Sequence, residues 1–287
     1  MMKHTMRLWG MIALAAVIGF TMTACPTEDD GGGVASSSSP LGPTLELKGQ
    51  VYTVDMPDIE DIDDFDDLKV TYTPYNNNVT ISDTIGTGGV TNGQLSYNTT
   101  TAPDNLEALE DYFYDLDLWD NIQISSSGVQ GYLLSYLSVT SPNNYEALQK
   151  RYTTMKVSGN YTSATISLTD ELVMYIYVDG DVAITGKGSK YTDKEDGVTY
   201  TIIINDFNLA LKQGWNALYQ KQSMSTRMTN TATTATDTMS ISMANPSNLR
   251  WTLYEDIDDG SGYGSGSVMP PPLGQRSLDR LRLRIGN

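Results

Sequence analysis

The feature that most constrains this chain is an alternation of apolar and polar residues with period two. Leu68, Val70 and Tyr72 alternate with Lys69, Thr71 and Thr73, and Val79, Ile81 and Ile85 with Thr80, Ser82 and Thr84. Phe207, Leu209 and Leu211 alternate with Asn208 and Lys212, and Met239, Ile241 and Met243 with Ser240 and Ser242. Leu249, Trp251 and Leu253 alternate with Arg250 and Thr252. Period two sends one set of side chains to a core face and the other to water, which is the pattern of a half-buried strand. Thr, Tyr, Val and Ile also pack well on a pleated surface. Turn dipeptides separate the runs: Asn92-Gly93, Asp179-Gly180, Asp196-Gly197 and Gln213-Gly214. Leu172 to Val178 is apolar almost throughout, which predicts a central strand covered on both faces.

Two segments break the alternation. Leu106, Leu109, Phe113 and Leu116 recur at three and four residues, and Asp104 with Glu107 has capping-box spacing, so a helix is expected over Asp104 to Trp119. Ser141-Pro142 before Tyr145, Leu148 and Tyr152 predicts a shorter helix that divides the body. The expected fold class is mostly β, with antiparallel sandwich-like units of Greek-key type and one or two short helices. The expected divisions are a signal peptide (1–24), a tether (25–44), a β-rich unit with one helix (45–140), a sandwich-like unit (141–255) and a tail (256–287).

The N-terminus differs from all of this. Lys3 and Arg7 precede a short apolar run from Leu8 to Phe20, and small residues lead into Cys25. A positive start, an apolar core and small residues before a cut are the marks of a secretory signal. The run is shorter than the roughly 20 apolar residues of a membrane span. Met22-Thr23-Ala24-Cys25 resembles the lipobox of bacterial lipoproteins. That resemblance implies a cysteine that takes a diacylglycerol and, after cleavage, a fatty acid such as palmitate on its new amine. Cys25 is the expected lipidation site. The Gly, Ser and acid-rich stretch from Pro26 to Pro43 cannot bury a core and reads as a tether.

Composition removes several chemistries. The chain has one His and one Cys, His4 and Cys25. With the signal cut away, no imidazole or free thiol remains, which excludes Ser-His-Asp and Cys-His nucleophiles and ordinary zinc, copper and haem sites. No cofactor is expected. The formal charge is −17. Loss of Lys3 and Arg7 brings the mature chain to about −19, and an Arg-rich tail leaves about −22 on Cys25 to Asp259. A body this acidic repels phosphate backbones, so nucleic acid is not an expected partner.

Two further resemblances bear on the body. Leu47-Lys48-Gly49-Gln50-Val51, with Gly89 to Tyr97 reading GVTNGQLSY, resembles transthyretin-like or carboxypeptidase-regulatory-like β-sandwich domains. That family implies a Greek-key scaffold for display and binding, with no inherited catalytic residue. Tyr175 to Val182, with Leu209 to Asn216 reading LALKQGWN, is similar to uncharacterised bacterial envelope lipoproteins. Those families imply a compartment and a β fold, without a known activity.

Candidate sites come from acids and aromatics. Eight acids fall between Asp55 and Asp67, and Asp61, Asp63 and Asp64 at their centre are the calcium candidates. Calcium takes oxygen ligands without His, but the spacing lacks Asp-x-Asp-x-Asp-Gly, so the run reads as a solvated loop and no metal is expected. Asp256-x-Asp258-Asp259-Gly260 lacks the closing Glu of a calcium loop. Asp115, Asp117 and Asp120 beside Trp119 could supply a glycosidase pair. Tyr112, Tyr114 and Trp119 are the leading ligand-binding aromatics, with Tyr132, Tyr136 and Tyr219 as further candidates. Trp215 and Trp251 fall on core-facing positions.

The expected function is a membrane-anchored extracytoplasmic lipoprotein, a binding or structural module of the bacterial cell envelope. Its expected partners are the membrane, through the N-terminal lipid, and a glycan or envelope protein. The outer membrane or cell surface is the expected location. The alternative is a carboxylate-based glycoside hydrolase displayed on the envelope.

Overall fold

The computed structural model describes residues 40–55, 69–81, 85–109, 122–140, 145–160, 163–195, 198–229 and 232–255. In chain order the strands are β1 (Glu46–Asp55), β2 (Thr71–Pro74), β3 (Val79–Ile81), β4 (Gly86–Thr91), β5 (Gln94–Thr99) and β6 (Glu107–Ala108). Next come β7 (Gln123–Ile124), β8 (Gln130–Leu134), β9 (Leu137–Thr140), β10 (Tyr145–Asn160), β11 (Ser163–Val178) and β12 (Val182–Gly186). The last six are β13 (Lys190–Glu195), β14 (Val198–Ile204), β15 (Phe207–Leu211), β16 (Gly214–Thr229), β17 (Thr233–Ser242) and β18 (Arg250–Glu255). The protein is mostly β, as the alternation predicts. No helix among the described residues is long and apolar enough to cross a membrane.

The second expected helix meets a strand, and only the start of the first can be compared. Tyr145 to Tyr152 begins β10, which pairs with β18 over Tyr145–Arg151 and with β11 over Lys150–Asn160. The three- and four-residue spacing of Tyr145, Leu148 and Tyr152 is outweighed by two flanking partner strands, a tertiary override of a short local signal. In the first expected helix, Glu107 and Ala108 pair with Gly131 and Gln130 as β6–β8. Leu109, the next residue, is helical, and the remainder of that segment, 110–119, lies outside the described residues.

Two sheets form the architecture. The smaller is β15-β12-β7. The larger has fifteen strands: twelve in the order β13-β14-β17-β16-β11-β10-β18-β1-β5-β4-β3-β9, with β2 on β1, β8 on β11 and β6 on β8 beside them. A further pairing of β9 with β10 closes β10, β18, β1, β5, β4, β3 and β9 into a ring. Closure leaves these seven strands without a free edge at the β9 end, while β13 remains an edge of the sheet. The ring encloses a core that includes Leu47, Val51, Tyr97, Leu148, Trp251 and Leu253.

Beyond the ring, β10, β11 and β16 run on as strands of sixteen residues. Their two faces have different coverings. At the tightly packed end, Leu172, Met174, Ile176 and Val178 of β11 face the small sheet, among Ile184, Phe207, Leu209 and Leu211. The intervening Val173 and Tyr175 join the ring's core. Leu172 to Val178 is therefore a central strand covered on both faces, as expected. Further along, Ile166 and Leu168 pack with Met155, Met224 and Met228 in a third cluster.

The turns follow local chemistry. Asn92 and Gly93 join β4 to β5 with φ of 50° and 75°, the two left-handed residues of a type I′ hairpin turn. A Cβ at Gly93 would stand 1.8 Å from the Tyr75 carbonyl oxygen.

Candidate functional site

The same strand parity that builds the cores also builds a surface. Past the end of the ring, the odd residues of β11 and β16 change from apolar to hydroxyl-bearing. In β11, Val173, Tyr175 and Tyr177 give way to Thr165, Ser167 and Thr169. In β16, Trp215, Ala217 and Tyr219 give way to Ser223, Ser225, Arg227 and Thr229. The neighbouring strands continue these positions in register, because paired residues in a sheet share a face.

Three rows cross six strands from β10 to β13. The first is Thr154, Thr169, Ser223, Thr238, Ile203 and Lys190. The second is Lys156, Ser167, Ser225, Thr236, Thr201 and Thr192. The third is Ser158, Thr165, Arg227, Thr234, Thr199 and Lys194. Thirteen of the eighteen positions are Ser or Thr, four are Lys or Arg, one is Ile, and none is acidic. None is buried. Thr192 and Thr201 Oγ1 lie 3.2 Å apart, which confirms that the two hydroxyls share the face. Strands stand about 4.8 Å apart, so six of them span roughly 24 Å.

The face carries four cations and no acid. Lys156, Lys190, Lys194 and Arg227 make no ion pair among the described residues. The next row toward the ring is neutralised: Lys221 Nζ lies 3.4 Å from Glu171 Oε1, and Tyr219 donates its hydroxyl to the same carboxylate. Burial and that carboxylate together hold the Tyr219 phenol well above its ordinary pKa.

Behind these rows a belt of buried polar groups crosses the opposite face. Arg151 and Asp170 form a bidentate pair, with Nε donating to Oδ1 at 2.6 Å and Nη2 to Oδ2. Thr153 donates to Asp170 Oδ1 at 2.8 Å, and Arg151 stands over the Tyr254 ring at 5.3 Å. Burial depresses the Arg151 pKa, but Asp170 more than offsets it and holds the guanidinium fully charged. Two strands away, Gln222 donates to Asp237 Oδ2 at 2.7 Å. Burial pushes the Asp237 carboxyl up to about 6. Arg250 lies within 4.8 to 5.5 Å of the Tyr52, Tyr72 and Tyr152 rings, which fastens β18, β1, β2 and β10 together. The belt fixes register, since a one-residue slip would carry these groups to the other face.

A small cleft opens where β10 leaves β9 for β11. It encloses only about 10 Å³ and is lined by Tyr136, Gln149, Lys150, Tyr175 and Trp251. Small-molecule pockets run from about 300 to 1,000 Å³, so this cleft is undersized. Burial lowers the Lys150 pKa, and its ammonium donates to Asn245 Oδ1 at 2.5 Å.

Of the sequence-derived candidates, Cys25, Asp61, Asp63, Asp64, Tyr112, Tyr114 and Trp119 lie outside the described residues, as do Asp115, Asp117, Asp120 and 256–260. Trp215 and Trp251 are core residues at 0% and 6% exposure, as their parity predicts. Tyr132 packs edge-on to Trp215, and Tyr136 lines the cleft. Among the described residues no group of three His, Cys, Asp or Glu side chains could hold a metal. Sequence reasoning alone misses the hydroxyl face. Its signal, Ser and Thr at alternate positions of neighbouring strands, reads in one dimension as ordinary solvent-facing polarity. Comparisons with protein families, with curated proteins and with solved structures found no match.

Proposed function

We propose that this chain is a lipid-anchored, extracytoplasmic binding module of the bacterial cell envelope, and that the three hydroxyl and cation rows are its contact surface. The observation that carries the reading is the composition of that face. Four cations that make no ion pair among the described residues stand there with thirteen hydroxyls and no acid, in register across six strands. The Lys3 to Cys25 signal supports export and anchoring. An acylated N-terminus with several chains, each CH₂ contributing about 0.8 kcal/mol, makes a stable anchor.

The test has two arms in cells. Fatty-acid labelling should tag the wild type and not Cys25→Ser; equal labelling of both refutes the anchor. A photo-crosslinking amino acid at Ser225, in the middle of the face, should form a discrete envelope adduct. The same probe at Asn208, on the small sheet, should not. A face that yields no adduct, or only the diffuse background of the control, refutes the contact surface.

A further inference from the structure

We infer that the hydroxyl face binds an acidic polysaccharide, a glycan bearing carboxylates. This rests on the proposal that the face is the module's contact surface, and adds the chemistry of what it contacts.

The residue types select the ligand. Ser and Thr hydroxyls each offer one donor and two acceptor sites, and they rotate to suit. A grid of them pairs best with a partner that also carries many hydroxyls in both roles, as a sugar does. Lys156, Lys190, Lys194 and Arg227 are spread over the rows and lack acidic partners among the described residues. They meet carboxylates spaced along a polymer better than one compact anion.

Three alternatives fit less well. Protein hot spots are rich in Trp, Tyr and Arg, whereas this face offers a single Arg and no aromatic. Attachment to an anionic bilayer combines cations with apolar side chains that enter the acyl boundary, and Ile203 is the only apolar residue here. A flat, rigid lattice would need a flat face. Sheet twist of about 20–25° per strand turns the sixth strand by roughly 100° relative to the first. A flexible polymer chain can follow that turn.

The protein's overall negative charge does not forbid an acidic ligand. The Debye length is about 8 Å at physiological ionic strength, and the face is roughly 24 Å wide. A chain lying on it is exposed mainly to the local cations. Net repulsion slows the approach, so affinity is expected to be modest and to depend on salt in the direction of ion pairing.

The test uses the full chain in mild detergent. Native gels with embedded polygalacturonate measure retardation, and dextran gels supply the uncharged control. Polygalacturonate should retard the wild type and dextran should not, and added NaCl should weaken the effect. Lys156→Gln, Lys190→Gln, Lys194→Gln and Arg227→Gln combined should lower affinity roughly tenfold or more. Thr169→Val, Thr201→Val and Thr236→Val keep shape and strand propensity while removing hydroxyls, and should also lower it several-fold with an unchanged melting temperature. Three results overturn the inference: no retardation by polygalacturonate, full retention by the Thr→Val variant, or equal binding to phosphatidylglycerol vesicles that the Thr→Val variant keeps. A face that forms the Ser225 adduct in cells yet ignores polygalacturonate leaves the contact surface standing and refutes only the glycan.

Discussion

Asp237 illustrates what a single side chain adds to a sheet of this kind. It is 1% exposed on β17, and Gln222 and Tyr200 both donate toward its Oδ2. Its Oδ1 has no close hydrogen-bond partner among the described residues. Burial disfavours the charged form, so the folded protein holds the proton up to about pH 6, whereas the unfolded chain releases it near 4. The fold therefore binds more protons than the unfolded state between these values. The stabilising contribution is complete below pH 4 and is lost as pH rises through 6. A gap of about two pH units between the folded and unfolded carboxyl corresponds to about 3 kcal/mol. Asp237→Asn keeps an acceptor for Gln222 and never ionises. Its melting temperature should exceed that of the wild type by a few degrees at pH 7.5, and the gap should close by pH 4. Calorimetry at both pH values checks this, and a gap that stays constant across the range would contradict it. Asp170 is the opposite case, because Arg151 compensates its charge. Removing one partner alone leaves a buried charge unpaired, which typically costs about 3–5 kcal/mol. The sequence reading singled out neither acid, although Asp170 shares the parity of Leu168 and Leu172 and Asp237 that of Met239 and Ile241.

At the scale of elements, strand existence was legible and strand identity was not. The alternations at Phe207 to Leu211 and Met239 to Ile241 are β15 and part of β17, with the buried positions where the period puts them. The Asn92-Gly93 turn is equally local, because a type I′ turn needs two residues that tolerate positive φ. The start of β10 failed because its signal is not local. Arg151 and Lys150 are held by Arg250 and Trp251, about a hundred residues away in sequence, and no window over Ser141 to Tyr152 contains them. The turn carries a comparison that separates strain from clash. Gly93 and Gly128 both have positive φ, 75° and 90°. A Cβ at Gly128 meets nothing within 4 Å, whereas at Gly93 it meets backbone at 1.8 Å. Gly128→Ala should cost about 1 kcal/mol from backbone strain alone. Gly93→Ala should cost clearly more, since Tyr75 cannot yield without opening the β1 contact that its amide makes with Val51. Urea midpoints of the two variants decide the order, and equal costs would mean that the turn relaxes freely.

For the whole molecule, the long strands place the chain's entry and the hydroxyl face at opposite ends. The chain enters beside β16: the Leu41 amide donates to the Trp215 carbonyl and the Trp215 amide to the Gly42 carbonyl, both at 2.8 Å. Ser225 is ten residues along the same strand, about 33 Å away at the usual rise. If Cys25 carries the lipid, as proposed, and the Gly/Ser-rich composition from Pro26 to Pro43 gives the tether expected from sequence, Cys25 and Gly42 would stand on the order of 20–25 Å apart. The entry end is then held near the bilayer, while the hydroxyl face stands beyond it by the length of the strands. That arrangement suits a module that reaches for an extended envelope polymer, and it disfavours use of the face on the anchoring membrane itself. Single thiol labels test it in lipidated protein on nanodiscs, where the diacylglycerol thioether blocks the thiol of Cys25, the only cysteine in the sequence. A fluorophore at Ser225→Cys should escape quenchers attached to lipid headgroups, and one at Gln213→Cys, next to the entry, should be quenched. Equal quenching at the two positions would show the long strands lying along the bilayer and would remove the geometric argument for an outward-facing surface.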